Sequence, residues 1–406
     1  MYTLGIYIYI LLVKLAALFG HKKAKQKLVG HKQSLAVLKE KLKSGNEYVW
    51  FHVASRGGFE QSRPMIERLH ATHPEYRIVL TFFSPSGYEI AKNYQQVDAV
   101  CFLPFDTGRN VRRFLDVLQP KMALFMKCEF WLNCLTELKK RSIPVYSISS
   151  VFRNRRSMMG VAGARLRLAL HCFTHLFVQD EASKTILKTI GIDNVSVVGN
   201  TCFDRVVKVL EQARQIPLLD MFAKEQPVFV AGGSERDDEA VYMPFFNRDK
   251  GWKLIIMPDC IDDERIKAIE KQYDGTSVRY TRATMENIHN AGCIIVDSHE
   301  LLSTIYKYGN VAFVGGSFGK GVHNVLEAAV YGIPLIIGPE NHRVCEAQCL
   351  FDCGGAIKVS DAYDFGAKMK MLCDDKECSA KVGKAAENYV MTNTGATARI
   401  FEEIGL

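Results

Sequence analysis

Apolar and polar residues in this chain come in blocks, not in single alternating steps. Predominantly apolar runs occur at 48–54, 77–83, 100–103, 122–125, 145–149 and 176–178, each bounded by polar or glycine-containing stretches. Short runs without alternation are the pattern of strands buried on both faces. The intervals between them have helical length. After Pro227 the pattern restarts, with runs at 228–231, 254–257, 293–296, 311–314 and 335–337. Repeated strand–helix units predict parallel sheets with helices on both faces. The expected fold class is therefore α/β, with two Rossmann-like parallel-sheet halves at 21–210 and 211–406, the last helix returning to the first half. A length of 406 residues suits two such domains.

Residues 2–19 stand apart from this rhythm. They read YTLGIYIYILLVKLAALF, apolar except for Lys14. A spanning helix needs about 20 apolar residues, so this stretch is borderline. His21, Lys22, Lys23, Lys25, Lys27, His31 and Lys32 follow at once. Basic flanks stay on the cytoplasmic side. Residues 1–20 are thus expected to be a membrane anchor helix, spanning or lying in the interface, with the globular part on the cytoplasmic side. The alternative is a first helix of the globular part. The leading residues carry no charge, which disfavours a cleaved signal peptide.

Charge and cysteines change the picture little. The formal net charge of +8 suits work beside anionic phosphates or an anionic leaflet, and no nucleic-acid partner is expected. The 12 cysteines are scattered without a CxxC pair. Cys345, Cys349 and Cys353 are four apart, but nothing completes a zinc pattern, so no metal site is expected and a reducing compartment is favoured.

In parallel sheets, ligands sit beyond the carboxyl ends of strands. In the first half that rule singles out 55–60, 84–87, 127–129 and 149–153, and with them Ser55, Ser84, Glu129 and Arg153. The Ser55-Arg56-Gly57-Gly58 turn lets backbone approach a ligand at a helix start. It lacks the spacing of a dinucleotide fingerprint, and no P-loop occurs. The second half is richer. Gly315 to Ala329 reads GGSFGKGVHNVLEAA. The glycines are expected to leave amides uncovered after a strand. His323, Asn324 and Glu327 are predicted to share one face of a helix's first turn, where the helix start attracts phosphate and the carboxylate can receive ribose hydroxyls.

These residues bring in a family. The chain resembles the 3-deoxy-D-manno-octulosonic acid (Kdo) transferases, GT-B glycosyltransferases, in the form seen in Bacteroidetes-like bacteria. The likeness runs nearly end to end: WFHVAS at 50–55, TFFSPSGYE at 81–89, CEFW at 128–131, SSVFR at 149–153, FDRV at 203–206, GKGVHNVLEAAVYGIPLIIGP ending at Pro339, and Glu346-Ala347. The resemblance implies two domains facing a cleft, the first binding a lipid A precursor (lipid IVA) and the second CMP-Kdo. It implies inverting transfer of Kdo with release of CMP in lipopolysaccharide synthesis, with no cofactor besides the donor substrate. His323, Asn324 and Glu327 match the family's HNxxE donor segment, which also takes in Val325 and Leu326, and Gly316 of the preceding glycine loop is expected on the donor side as well. Pro258 and Asp259 fall where the family has proline and a basic residue, and His299, Glu300 and Leu301 on another donor loop.

The chain departs from the family at several of these places. The family's first motif reads roughly Ser-x-Gly-Glu, and that glutamate is the proposed base. Here Gly58 occupies its position. Glu60 is the nearest carboxylate in sequence, but two steps along a helix turn a side chain by about 200°. The family's Pro-His-Glu is Pro258-Asp259-Cys260, its Gly-Asp-Thr-Arg is Gly199-Asn200-Thr201-Cys202, and its Ser-Thr-Trp segment is Gly233-Ser234-Glu235-Arg236. Losing a positioned base typically costs about 10²–10⁴ in rate. Two other readings follow: an inactive, membrane-associated paralogue that binds lipid or nucleotide sugar, and a transferase using a UDP-sugar.

Overall fold

The computed structural model describes residues 2–154, 158, 160–341 and 344–406. The chain divides into two compact units. Unit 1 comprises Met1–Arg205 with Thr394–Leu406, and unit 2 comprises Val206–Asn393.

Unit 1 is built on strands β1 (Glu47–Val53), β2 (Tyr76–Phe82), β3 (Ala99–Phe102), β4 (Met122–Met126), β5 (Val145–Ser150), β6 (His175–Val178) and β7 (Val195–Val197). They form one sheet in the order β3-β2-β1-β4-β5-β6-β7. Unit 2 holds β8 (Val228–Ser234), β9 (Lys253–Pro258), β10 (Ser277–Arg279), β11 (Cys293–Ile295), β12 (Val311–Val314), β13 (Leu335–Ile337) and β14 (Ala356–Lys358), ordered β10-β11-β9-β8-β12-β13-β14. The pairings are parallel throughout. The central strands are buried on both faces because helices cover both sides: in β1 every residue after Glu47 is buried. The strand order reverses between β1 and β4 in one sheet and between β8 and β12 in the other. Ligands of open α/β sheets bind at such reversals, beyond the carboxyl ends.

The chain closes back on unit 1. Asp204 accepts hydrogen bonds from the N–H groups of Gly395 (2.6 Å) and Thr397 (2.7 Å), which caps the final helix Ala396–Ile404. Its Ile400 and Phe401 enter the core beneath β1 and β2.

The amino terminus differs from the anchor that the sequence predicts. No helix among the described residues is long and apolar enough to cross a membrane. Residues 2–19 instead form α1 (Tyr2–Leu18), docked on α2 (Lys22–Lys41). Polar contacts hold it: Tyr2 Oη donates to Asp106 at 2.6 Å, and Lys27 Nζ donates to Tyr9 Oη at 2.6 Å. Val13 is the residue of α1 that is buried, while Leu4, Tyr7, Ile8, Leu11, Leu12 and Leu15 face outward.

Beneath α1, the His31 ring of α2 is buried and stacks on Phe105 at 4.0 Å between centroids. Burial, and then the neighbouring Lys27 charge, push its pKa down to about 3. The unfolded chain therefore takes up this proton first. The contribution of His31 to stability is complete above its ordinary value near 6.5 and is lost as the pH falls from there toward 3. By pH 5 the loss should reach about 2 kcal/mol. Denaturant titrations at pH 7 and pH 5 should show that difference, and His31→Phe should reduce it. An unchanged pH dependence in that variant would refute the assignment.

Candidate active site

At the reversal in unit 1, β1 ends in His52 and Val53 and leads through Ser55 into α3 (Arg56–Thr72). Ser55 caps α3, its Oγ accepting the N–H of Gly58 at 3.5 Å. Gly58 is thus the third helical residue and is buried. A Cβ there would sit 3.4 Å from Val53 Cβ and 4.0 Å from Ser55 Oγ, an ordinary contact. Glu60 faces elsewhere: its carboxylate meets Arg205 Nε at 3.0 Å and Arg63 at 3.4 Å. Taking a proton there would give up two ion pairs, so Glu60 is poorly placed as a substitute for the glutamate missing at 58.

Across the reversal, β4 leads into Lys127, whose φ of +60° is left-handed without being glycine, as is the +53° of Ser149 after β5. Such conformations cost energy and persist where surrounding contacts fix them. Here the Lys127 N–H donates to Ile148 O (2.7 Å), and its carbonyl accepts from Ser150 Oγ (2.6 Å). The Lys127 ammonium comes within 4.0 Å of where a Cβ on Gly57 would stand. Two residues on, the Glu129 carboxylate accepts from Trp131 Nε1 at 2.9 Å and lies 3.6 Å from His52 Nε2. His52 is fully buried, with Nδ1 2.9 Å from Thr81 Oγ1. Of the other acceptor-side candidates, Ser84 precedes the helix Pro85–Ala91, its hydroxyl 2.8 Å from that of Ser86, and Arg153 pairs with Asp180 at 2.7 Å. The sequence reading singled out Glu129 but missed His52 and Trp131, although both lie in the quoted motifs.

At the reversal in unit 2, glycines mark both strand ends: Gly232 and Gly233 precede Ser234 at the end of β8, and Gly315 and Gly316 follow β12. Gly233 and Gly316 have left-handed φ values of +69° and +81°. Any Cβ on Gly233 would meet the His323 ring at 2.7 Å, and one on Gly316 would meet it at 3.2 Å. These glycines make room for the imidazole. Two expectations about this loop need correction. The helix starts at Leu326, not at His323, and spans only Leu326–Ala329, so His323 and Asn324 lie on the non-helical segment before it. The glycine-loop amides are also largely engaged within the protein. Asp238 accepts from Gly316 N (2.7 Å) and Phe318 N (3.1 Å), Gly319 and Gly321 bond to Gly316 O, and His323 bonds to Gly315 O. The loop satisfies itself because buried amides need partners. Burial raises the pKa of Asp238, and these same amides oppose that rise.

What the segment does present is Glu327. Asn324 Nδ2 donates to its Oε1 at 3.0 Å, and Ser303 Oγ to its Oε2 at 3.0 Å. Val325 and Leu326 are buried beneath it. His299, Glu300 and Leu301 form a short 3-10 turn just before Ser303; the His299 side chain lies outside the described part. Pro258 ends β9, and the N–H of Asp259 donates to Ser234 O at 3.0 Å, tying this exit to that of β8. Ser303 and Asp238 had no signal in the sequence. Each acts through a contact more than 20 residues away.

Known proteins share this organisation. The family model for 3-deoxy-D-manno-octulosonic-acid transferase (kdotransferase) matches residues 24–205. The 3-deoxy-D-manno-octulosonic acid transferases of Haemophilus influenzae and Aquifex aeolicus are 25% and 28% identical to this chain. Those alignments cover 87% and 84% of it and 86% and 90% of the relatives. These similarities, which extend over most of the chain, support a Kdo transferase. The homologues indicate a glycosyltransferase enzyme. In fold it also resembles UDP-N-acetylglucosamine 2-epimerase from Neisseria meningitidis, with a TM-score of 0.63 at 16% identity over 88% of this chain and 99% of that one. A putative enzyme of that name from Listeria monocytogenes gives 0.61 at 14% identity, over 89% and 96%. At these identities the likeness concerns the fold alone.

Proposed function

We propose that the chain transfers Kdo from CMP-Kdo to a lipid A precursor such as lipid IVA, with inversion, in lipopolysaccharide synthesis. The observation that carries this reading is the Glu327 carboxylate, aligned by Asn324 and Ser303 beside the exit of β12. A carboxylate held at a strand-order reversal suits the hydroxyls of a cytidine ribose. In the transfer, an acceptor hydroxyl oxygen bonds to the anomeric carbon of Kdo, the bond from that carbon to the phosphate oxygen breaks, and CMP leaves. The hydroxyl proton needs a base. With Gly58 in the family's position, the aligned carboxylate at the unit 1 reversal is Glu129.

Incubation with CMP-Kdo and lipid IVA should release CMP above an enzyme-free blank. The specific observation favouring a second reading, a non-catalytic lipid-binding paralogue, is the glycine at 58. That reading holds if calorimetry shows lipid IVA binding while no CMP appears. Competition by CMP, but not UDP, separates both from a UDP-sugar transferase.

The outward apolar side of α1, next to exposed Lys22, Lys23 and Lys25, supports a place on the cytoplasmic face of the inner membrane. There α1 would lie in the interface plane rather than cross it. Full-length chain should float with vesicles containing phosphatidylglycerol, and Leu11→Asp with Leu12→Asp should abolish flotation.

A further inference from the structure

We infer that a groove beside α2 seats one acyl chain of an anionic phospholipid. The groove encloses about 450 Å³, within the usual size of small-ligand sites. Val29, Gly30 and Val37 of α2 form one wall, and Tyr88, Cys101 and Phe102 form the other. Gly30 lets the two walls meet at close range. A Cβ there would meet the Phe102 ring at 2.3 Å, so the ring lies against bare helix backbone. Cys101 and Phe102 are buried, whereas Val29 is 45% exposed at the opening. An apolar interior with polar groups gathered at its edge fits a ligand with an apolar body and a polar head.

The charges at that edge select the head. Lys22 and Lys25 line the groove and are exposed. Glu89 also lines it, but its carboxylate is 2.6 Å from Lys92 Nζ, so the edge remains positive overall. Lys22 begins α2 a short turn after the end of α1, where Leu18 and Phe19 are 81% and 89% exposed. An apolar surface thus adjoins a basic rim, which adjoins an apolar slot. A phosphate-bearing lipid lying against α1 meets all three, and lysines near a membrane surface favour anionic over zwitterionic heads.

The test uses dihexanoyl-phosphatidylglycerol, soluble below its micelle concentration, titrated into the full chain by calorimetry. One saturable site is expected. Val29→Trp, which fills the opening from an exposed position, should weaken binding by about tenfold or more. The Lys22→Glu, Lys25→Glu pair should weaken it similarly, with the thermal midpoint unchanged. Dihexanoyl-phosphatidylcholine should bind at least about fivefold more weakly, and glycerol phosphate should not saturate. Lack of saturation by the anionic lipid would overturn the proposal, as would undiminished binding in both variants or equal affinity for the two lipids. Concentration-dependent dimerisation abolished by Val29→Trp would assign the groove to a second copy of the chain and overturn it equally. None of these readouts depends on Kdo transfer.

Discussion

Replacing Gly58 by glutamate should raise the rate of CMP release by about 10²- to 10⁴-fold, the usual contribution of a positioned base. The backbone is already arranged for it. Position 58 is the third helical residue after the Ser55 cap, and a Cβ there finds only ordinary contacts with Val53 and Ser55. A glutamate at this place can also reach back to the N–H of Ser55, completing a capping box. Removing glycine from a helix adds about 0.5–1 kcal/mol. The variant should therefore be more stable as well as faster. Gly58→Gln separates the two effects, since glutamine completes the same box and relieves the same glycine but cannot take a proton. Thermal midpoints should rise in both variants, while kcat should rise in the glutamate form alone. Equal rates in the two would show that position 58 has no part in proton transfer here. Glu129→Gln in the parent chain then tests whether the carboxylate at the β4 exit carries the residual rate.

Much of this architecture is legible in the sequence, and the parts that are not share a physical cause. All eleven predicted strands occur. The three that were missed, β7, β10 and β14, have three residues each and lie at sheet edges. An edge strand has a single neighbour and less cover, so it needs no continuous apolar run to mark it. His323 and Asn324 were placed one turn too early in a helix because polar residues after glycines look like a capped start. In the fold the segment is not helical, and the His323 ring rests against Gly233 and Gly316. Local pattern also cannot show that the glycine-loop amides are taken, because their acceptor, Asp238, comes from the helix after β8. Likewise, residues 2–19 have the composition of an anchor, yet Tyr2 and Tyr9 hold them to Asp106 and Lys27. Long-range polar contacts of this kind leave no periodic trace.

Glu239→Ala should destabilise the chain by about 3–5 kcal/mol, the cost of leaving one member of a buried ion pair uncompensated. Glu239 and Arg265 are both buried. Arg265 Nη1 donates to Glu239 Oε2 at 2.8 Å, and Nη2 donates to the other carboxylate oxygen and to Ser234 O at 3.2 Å. Burial alone would lower the guanidinium pKa, but the hydrogen bonds and charge of Glu239 outweigh it and raise it. With Glu239 gone, the guanidinium keeps its charge in a site built to neutralise it. Ser234 would also lose its bond to Glu239 Oε1, 3.2 Å. The effect reaches the proposed donor side because Ser234 ends β8 and its carbonyl also holds the N–H of Asp259. CMP affinity should therefore fall with stability in Glu239→Ala. The double change Glu239→Leu, Arg265→Met removes both charges and should recover most of the stability, since apolar groups of similar volume replace such pairs well. It should not recover the tether on Ser234, so CMP binding should stay weak. Denaturant midpoints and CMP titrations on the two variants separate these effects. A loss below about 1 kcal/mol in Glu239→Ala would place the pair among surface-like contacts and remove its role in holding the β8 exit.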